Sequence, residues 1–282
     1  MSPLAGALAH GELTVLGRLP DASNLALLCE VDGEPGAQRQ PLRCIYKPAS
    51  GERPLWDFPD ATLAAREVLS AAAAAALGWD LVPATVWRPD GPAGPGMCQE
   101  WVERGGPDPV GLFPAGGVPA GWCVVAEGRT ADDEEVRLAH ADTADLQRLA
   151  VLDHLLNNAD RKGGHVLRRA DGRLAAIDHG LTFHAQPKLR TVLWGWAGKP
   201  VPGWLRDEVA AGQAGLRAVL GDTPGGPGGP NGGGGVGGAG GPGAELSGDE
   251  VRAAEERLDR LLADPVFPVP GSGWPALPWP PM

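Results

Sequence analysis

Positive charge is what this chain most lacks. Its 282 residues carry 24 Lys and Arg against 35 Asp and Glu, a formal net charge of −11. A polyphosphate backbone or an anionic membrane face would be repelled in bulk, so no nucleic-acid partner is expected and any phosphate site must be local. Paired cysteines are missing too. Cys29, Cys44, Cys98 and Cys123 stand singly with no Cys-x-x-Cys, which argues against a zinc framework and for reduced thiols. No apolar run approaches the ~20 residues of a membrane span, and the opening MSPLAGALAHGEL has no basic stretch before a sustained apolar run. These absences lead to the expectation of a cytoplasmic protein with no membrane span.

Glycine and proline are abundant instead, at 43 and 29 residues. The segment from Pro224 to Gly243 is nearly all Gly and Pro, so residues 222–247 read as a flexible linker. A charged amphipathic helix is expected over 248–263, followed by a Pro-rich tail over 264–282. The foldable part is then mostly residues 1–221, with 43% hydrophobic residues to build a core.

Within it, ELTVLGRL, LALLCEV and LRCIYK are separated by turn-forming clusters and read as three antiparallel strands. Asp60 precedes an Ala-rich run that ends at Gly78, the pattern of a capped helix. LVPATVWR and MCQEWV form a further strand pair, whereas 103–130 gives little pattern. Asp142 or Thr143 could cap ADLQRLAVLDHLL, whose leucines form a broad apolar face leading into Asn157 and Asn158. HVLRR and RLAAIDHG flank Asp171-Gly172, expected hairpin chemistry. A short helix is expected around 204–220.

That hairpin folds the stretch NNADRKGGHVLRRADGRLAAIDHG back on itself. His165 and Asp178 become near neighbours, with Asp160 in the loop before them. Carboxylates converging at a hairpin's open end suit a divalent cation that also contacts substrate phosphates. One carboxylate could instead accept a proton from an attacking hydroxyl.

NADRKGGHVL followed by AAIDHG resembles the catalytic loop and metal motif of the phosphatidylinositol 3- and 4-kinase superfamily, including HipA-like kinases. More narrowly, the chain resembles an actinobacterial protein family grouped with them by that similarity. The resemblance implies an α+β, two-lobed protein-kinase-like fold, with an antiparallel-sheet N-lobe over 11–103 and a mainly helical C-lobe over 104–221. It implies ATP with Mg or Mn as cofactors, and a nucleotide and a hydroxyl phosphate acceptor as partners. Asp160, Arg161 and Lys162 would form the catalytic loop, and Asp178 with His165 would hold the metal. Lys47 and Glu67 would position the phosphates. Ser23 and Asn24 would cover them, and the backbone at Glu100, Trp101 and Val102 would bind adenine.

The chain departs from the pattern at His165, which replaces an Asn, at His179, which replaces a Phe, and at Lys162, where His is common. Imidazole is a poor Mg²⁺ ligand and a better one for Mn²⁺ or Zn²⁺. A nucleotide-binding pseudokinase acting as an interaction module is therefore a second reading. A metal-dependent hydrolase using Asp160, His165, Asp178, His179 and His184 is a third. Without the motif, Lys47 and Glu67 read as surface charges, and His179, His184 and the tryptophans as packing residues. Lys188 and Arg190 follow the metal motif where an anionic acceptor could be met.

Overall fold

Ser2 and Pro3 begin a helix that the sequence reading did not anticipate. The Ser2 hydroxyl accepts the Ala5 N–H at 3.2 Å, and proline occupies the first turn, where its missing N–H is no loss. This helix, α1 (Pro3–His10), buries Leu8 against Cys29, Val31, Cys44 and Tyr46. The computed structural model describes residues 2–20, 22–32, 41–58, 62–221 and 246–282. Asp60 and nearly all of the Gly-rich segment lie outside them.

Five strands follow as one antiparallel sheet: β1 (Leu13–Arg18), β2 (Leu27–Val31), β3 (Leu42–Pro48), β4 (Thr85–Arg88) and β5 (Gly96–Glu100), in the order β1-β2-β3-β5-β4. Alternation along β3 decides the placement of its lysine. Cys44 and Tyr46 point into the α1 side, so Ile45 and Lys47 face the other way. On that other face lies α2 (Leu63–Ala76), whose Ala64 and Val68 pack with Met97 of β5. Ala-rich sequence favours this helix, and Gly78 at φ +74° ends it. Its N-terminus is capped from a distance: the Glu52 carboxylate accepts the Leu63 and Ala64 N–H groups at 2.9 and 2.8 Å.

The second lobe opens with a sheet that the Gly- and Pro-rich text concealed. β6 (Val110–Pro114), β7 (Trp122–Arg129) and β8 (Glu135–Ala141) pair antiparallel in the order β6-β8-β7. Then α3 (Ala144–Leu156) starts at Thr143, whose hydroxyl accepts from Leu146 N–H. Its Leu146, Leu149, Leu152 and Leu156 are enclosed, each contributing about 2 kcal/mol by apolar area. Asn157 closes the helix in the left-handed region at φ 54°. The hairpin β9 (Val166–Arg168) and β10 (Leu174–Ala176) forms around Gly172 as expected. Two helices complete the lobe: α4 (Gly203–Gly221), which packs on α2, and α5 (Gly248–Ala263), which packs on α3 and α4. Ser247 and Glu250 form a reciprocal capping box at the start of α5. Residues beyond it run irregularly along the lobe, and Phe267 stacks on the buried Trp196.

Burial, with Arg257 and Arg260 beside it, pushes the His154 imidazole on α3 down to about 4. An unfolded histidine titrates near 6.5, so between these values only the unfolded chain takes up the proton. Acidification through this window therefore lowers stability, by at most about 3 kcal/mol from this residue. Urea midpoints at pH 7 and pH 4.5 are expected to fall less far apart in His154→Gln than in the parent. Equal separations would contradict the assignment.

Candidate functional site

The sheet face carrying Lys47 and the loop-hairpin carrying Asp160 and Asp178 meet at a cleft of about 480 Å³. Ser23, Asn24, Lys47, Glu67, Asp160, Lys162, His165 and Asp178 all line it. Eight of the residues expected from sequence, spread over more than 150 positions, are thus gathered in one cavity.

Lys47 is at its centre. Its Nζ lies 2.7 Å from Glu67 Oε1 and 3.2 Å from Asp178 Oδ1. Burial alone would lower this ammonium, but the charges of Asp178 and Glu67 outweigh it and hold Lys47 above its usual range. Lys47 in turn holds the Asp178 carboxyl well below the carboxylate range. Glu67 is enclosed, and burial pushes it up while Lys47 pulls it down.

Asp178 sits at φ 59°, a left-handed conformation uncommon for a non-glycine residue. Its second oxygen lies 3.2 Å from His165 Nε2. Burial lowers the His165 imidazole, although Asp178 opposes this. On the other side of the loop, Lys162 Nζ meets Asp160 Oδ2 at 3.0 Å.

The frame around these side chains is polar and buried. Arg161 is wholly enclosed: its Nε donates to both Asp153 oxygens, its Nη1 to Ile177 O at 2.8 Å, and its Nη2 lies 2.6 Å from His179 Nε2. It therefore ties the loop to α3 and to the segment around Asp178 without reaching the cleft. His179 is taken up by this contact, and burial with Arg161 keeps it neutral. Arg66, next to Glu67, bonds Thr182 O at 2.6 Å and Glu250 at 2.8 Å, fixing α2 to the segment after Asp178.

Other expected residues lie elsewhere. Glu100, Trp101 and Val102 form the joint between lobes and do not line the cavity. Glu100 pairs with Arg169 at 3.4 Å, and Val102 packs with Leu167 and Ala175 of the hairpin. Lys188 is not open to an acceptor. It is buried against Asp57 at 2.7 Å, with the rings of Trp56 and Trp274 facing its ammonium. Glu52, Arg53 and Leu55, which line the cavity, escaped the sequence reading. The one signal available was their place directly after the Lys47 strand.

The donor set suits a hard or borderline divalent ion with open positions. His165 Nε2 and Asp178 Oδ2 are adjacent, yet among the described residues no group of three or more His, Cys, Asp or Glu side chains could hold a metal. Phosphate oxygens and water would have to fill the remaining positions. This is unlike a hydrolase site that holds its metal through several protein ligands. His184, one residue of that reading, packs edge-on against Phe58 instead.

No established family profile matches the chain. Among solved structures, the Fam20 protein of hydra, determined with sugar, superposes with a TM-score of 0.52 at 14% sequence identity, covering 92% of this chain and 86% of that one. The Golgi casein kinase superposes with a TM-score of 0.48 at 11% identity, covering 92% and 72%. The architecture is the α+β, two-lobed protein-kinase-like fold expected from the sequence. In sequence, Protein Rv2133c of Mycobacterium tuberculosis is 46% identical over 283 residues, 97% of this chain and 93% of that protein. The chain belongs to the same family as this mycobacterial protein.

Proposed function

We propose that the chain is an ATP-dependent phosphotransferase acting on a hydroxyl acceptor. The observation that carries this reading is Lys47, held between Glu67 and Asp178 in the interlobe cleft. A lysine placed this way meets the phosphates of a nucleotide, and the glutamate on the adjacent helix keeps it there.

Asp178 and His165 would hold Mg²⁺ or Mn²⁺, which when bound neutralises charge on the phosphates. Asp160 orients or deprotonates the acceptor hydroxyl. Its carboxylate already lies beside Lys162, whose ammonium offsets charge on the transferred group. Ser23 and Asn24 cover the phosphates from the β1–β2 loop. At the joint, the Glu100 and Trp101 N–H groups are taken by Ala84 O and Arg43 O, so neither is free to bind adenine. Arg161 acts as a positioning residue.

The phosphatidylinositol 3- and 4-kinase-like subclass rests on the Asp160-Arg161 and Ile177-Asp178 motifs alone. A protein or small-molecule acceptor is favoured over a lipid, since a chain of net charge −11 is repelled in bulk by an anionic membrane face. No helix among the described residues is long and apolar enough to cross a membrane, and a cytoplasmic location is part of the proposal.

Metal preference tests the site. With labelled ATP and Mn²⁺ or Mg²⁺, the parent is expected to prefer Mn²⁺, and His165→Asn to shift that preference toward Mg²⁺ by about tenfold. A variant that gains turnover with both metals would favour the pseudokinase reading, in which His165 has spoiled a kinase. An unchanged preference would remove His165 from the metal site.

A further inference from the structure

A second cavity, of about 730 Å³, lies on the helical lobe between the end of α3, α5, the loop 185–189 and the irregular segment 268–274. It shares no lining residue with the interlobe cleft. Its volume is in the range of small-molecule sites.

What distinguishes it is unanswered positive charge. Arg257 lines the cavity at 7% exposure. Its Nε donates to Leu155 O at 3.0 Å, but Nη2 finds no acceptor and no carboxylate pairs with it among the described residues. Buried arginine is otherwise nearly always paired. Arg260, one turn on, also lines the cavity; it is exposed like Glu256, has no ion pair among the described residues, and its Nε donates to Glu256 O at 3.1 Å. Glu256, the one carboxylate among the described lining residues, is exposed. The buried Trp274 Nε1 is a further donor without an acceptor, and the His154 ring also lines the cavity. Trp194 and Trp274 supply flat apolar walls, and Ser272 a hydroxyl.

We infer that this cavity binds a small-molecule phosphate monoester, its phosphate on Arg257 and Arg260 and its apolar body against Trp194 and Trp274. A dianion answers the charge that the chain leaves unpaired, and guanidinium groups fit phosphate geometry. The aromatic walls favour an organic ester over the bare ion. Asn157 lines the same cavity and pins the loop beside it through Nδ2, which donates to His184 O and Gln186 O at 2.7 and 2.6 Å. Occupancy would thereby brace the segment that follows Asp178. The inference does not depend on the phosphotransferase reading.

The test is calorimetry of the full chain with phenyl phosphate and with inorganic phosphate, in EDTA at constant ionic strength. Arg257→Gln removes the charge. Ala253→Glu places a carboxylate one turn before Arg257, where it pairs with that arginine and fills the cavity without disturbing its bond to Leu155. Phenyl phosphate is expected to bind the parent and Lys47→Met alike, and to bind Arg257→Gln and Ala253→Glu about tenfold or more weakly. Inorganic phosphate is expected to bind at least about threefold more weakly than the ester. Absence of binding, loss in Lys47→Met, normal binding in Ala253→Glu, or equal affinity for the two probes would overturn the assignment.

Discussion

Asp178→Asn is expected to lower phosphate transfer by about 1,000-fold or more, with little change in thermal midpoint. The exchange is nearly isosteric, and Asn tolerates the left-handed backbone that Asp178 adopts at φ 59°. Lys47 keeps its 2.7 Å contact with Glu67 when the Asp178 charge is gone, so its half-buried ammonium is still paired. What disappears is the anionic oxygen beside His165 and the charge opposing Lys47. The Asp178 side chain is 45% exposed, so its ion pair adds little to folding and much to the site. Measured by transfer of labelled phosphate alongside a thermal melt, an active Asp178→Asn variant would refute this role. A matching collapse of the fold would show that Asp178 is structural.

The second large effect falls on stability. Arg161 and Asp153 form an ion pair in which both side chains have 0% exposure. Arg161→Met leaves the Asp153 carboxylate buried with Asn158 Nδ2, at 2.9 Å, as its remaining side-chain donor. Removing one partner of such a pair destabilises by about 3–5 kcal/mol, because the surviving charge is neither hydrated nor matched. Replacing both, in Asp153→Leu/Arg161→Met, is expected to recover much of the loss. Urea denaturation of the single and double variants checks this. A double variant no more stable than the single one would mean that the bonds of Arg161 to Ile177 O and His179 matter more than the charge pair.

Local chemistry explains which parts of this arrangement could be read in advance. Lys47 and Glu67 were legible through the resemblance, as the lysine ending LRCIYK and a glutamate of the next helix; taken alone, both read as surface charges, because their pairing forms only when β3 and α2 pack together. The approach of His165 to Asp178 followed from Asp171-Gly172, whose turn geometry folds the two ends together. The cap of α2 was not legible: it comes from Glu52, a side chain on a separate segment. Nor was the β6-β8-β7 sheet: its outer strands β6 and β7 are half-exposed and contain Gly111, Pro114 and Gly128, so no clean alternation of polar and apolar residues survives in them. Lys188 misled because its partner Asp57 lies 131 positions away, and only the folded chain brings Trp56 and Trp274 to its ammonium. Arg161 reads as part of a catalytic loop, but its burial makes it the brace of that loop.

In the proposed function, Lys47, Glu67, His165 and Asp178 form a metal-dependent nucleotide site. Calorimetric titration of the full chain with ATP, in Mn²⁺ and separately in Mg²⁺, with Asp178→Asn as control, tests it most directly. One saturable site is expected that requires the metal, is tighter with Mn²⁺, and is lost in the variant. Absence of binding with either metal, or binding that Asp178→Asn leaves intact, would contradict it.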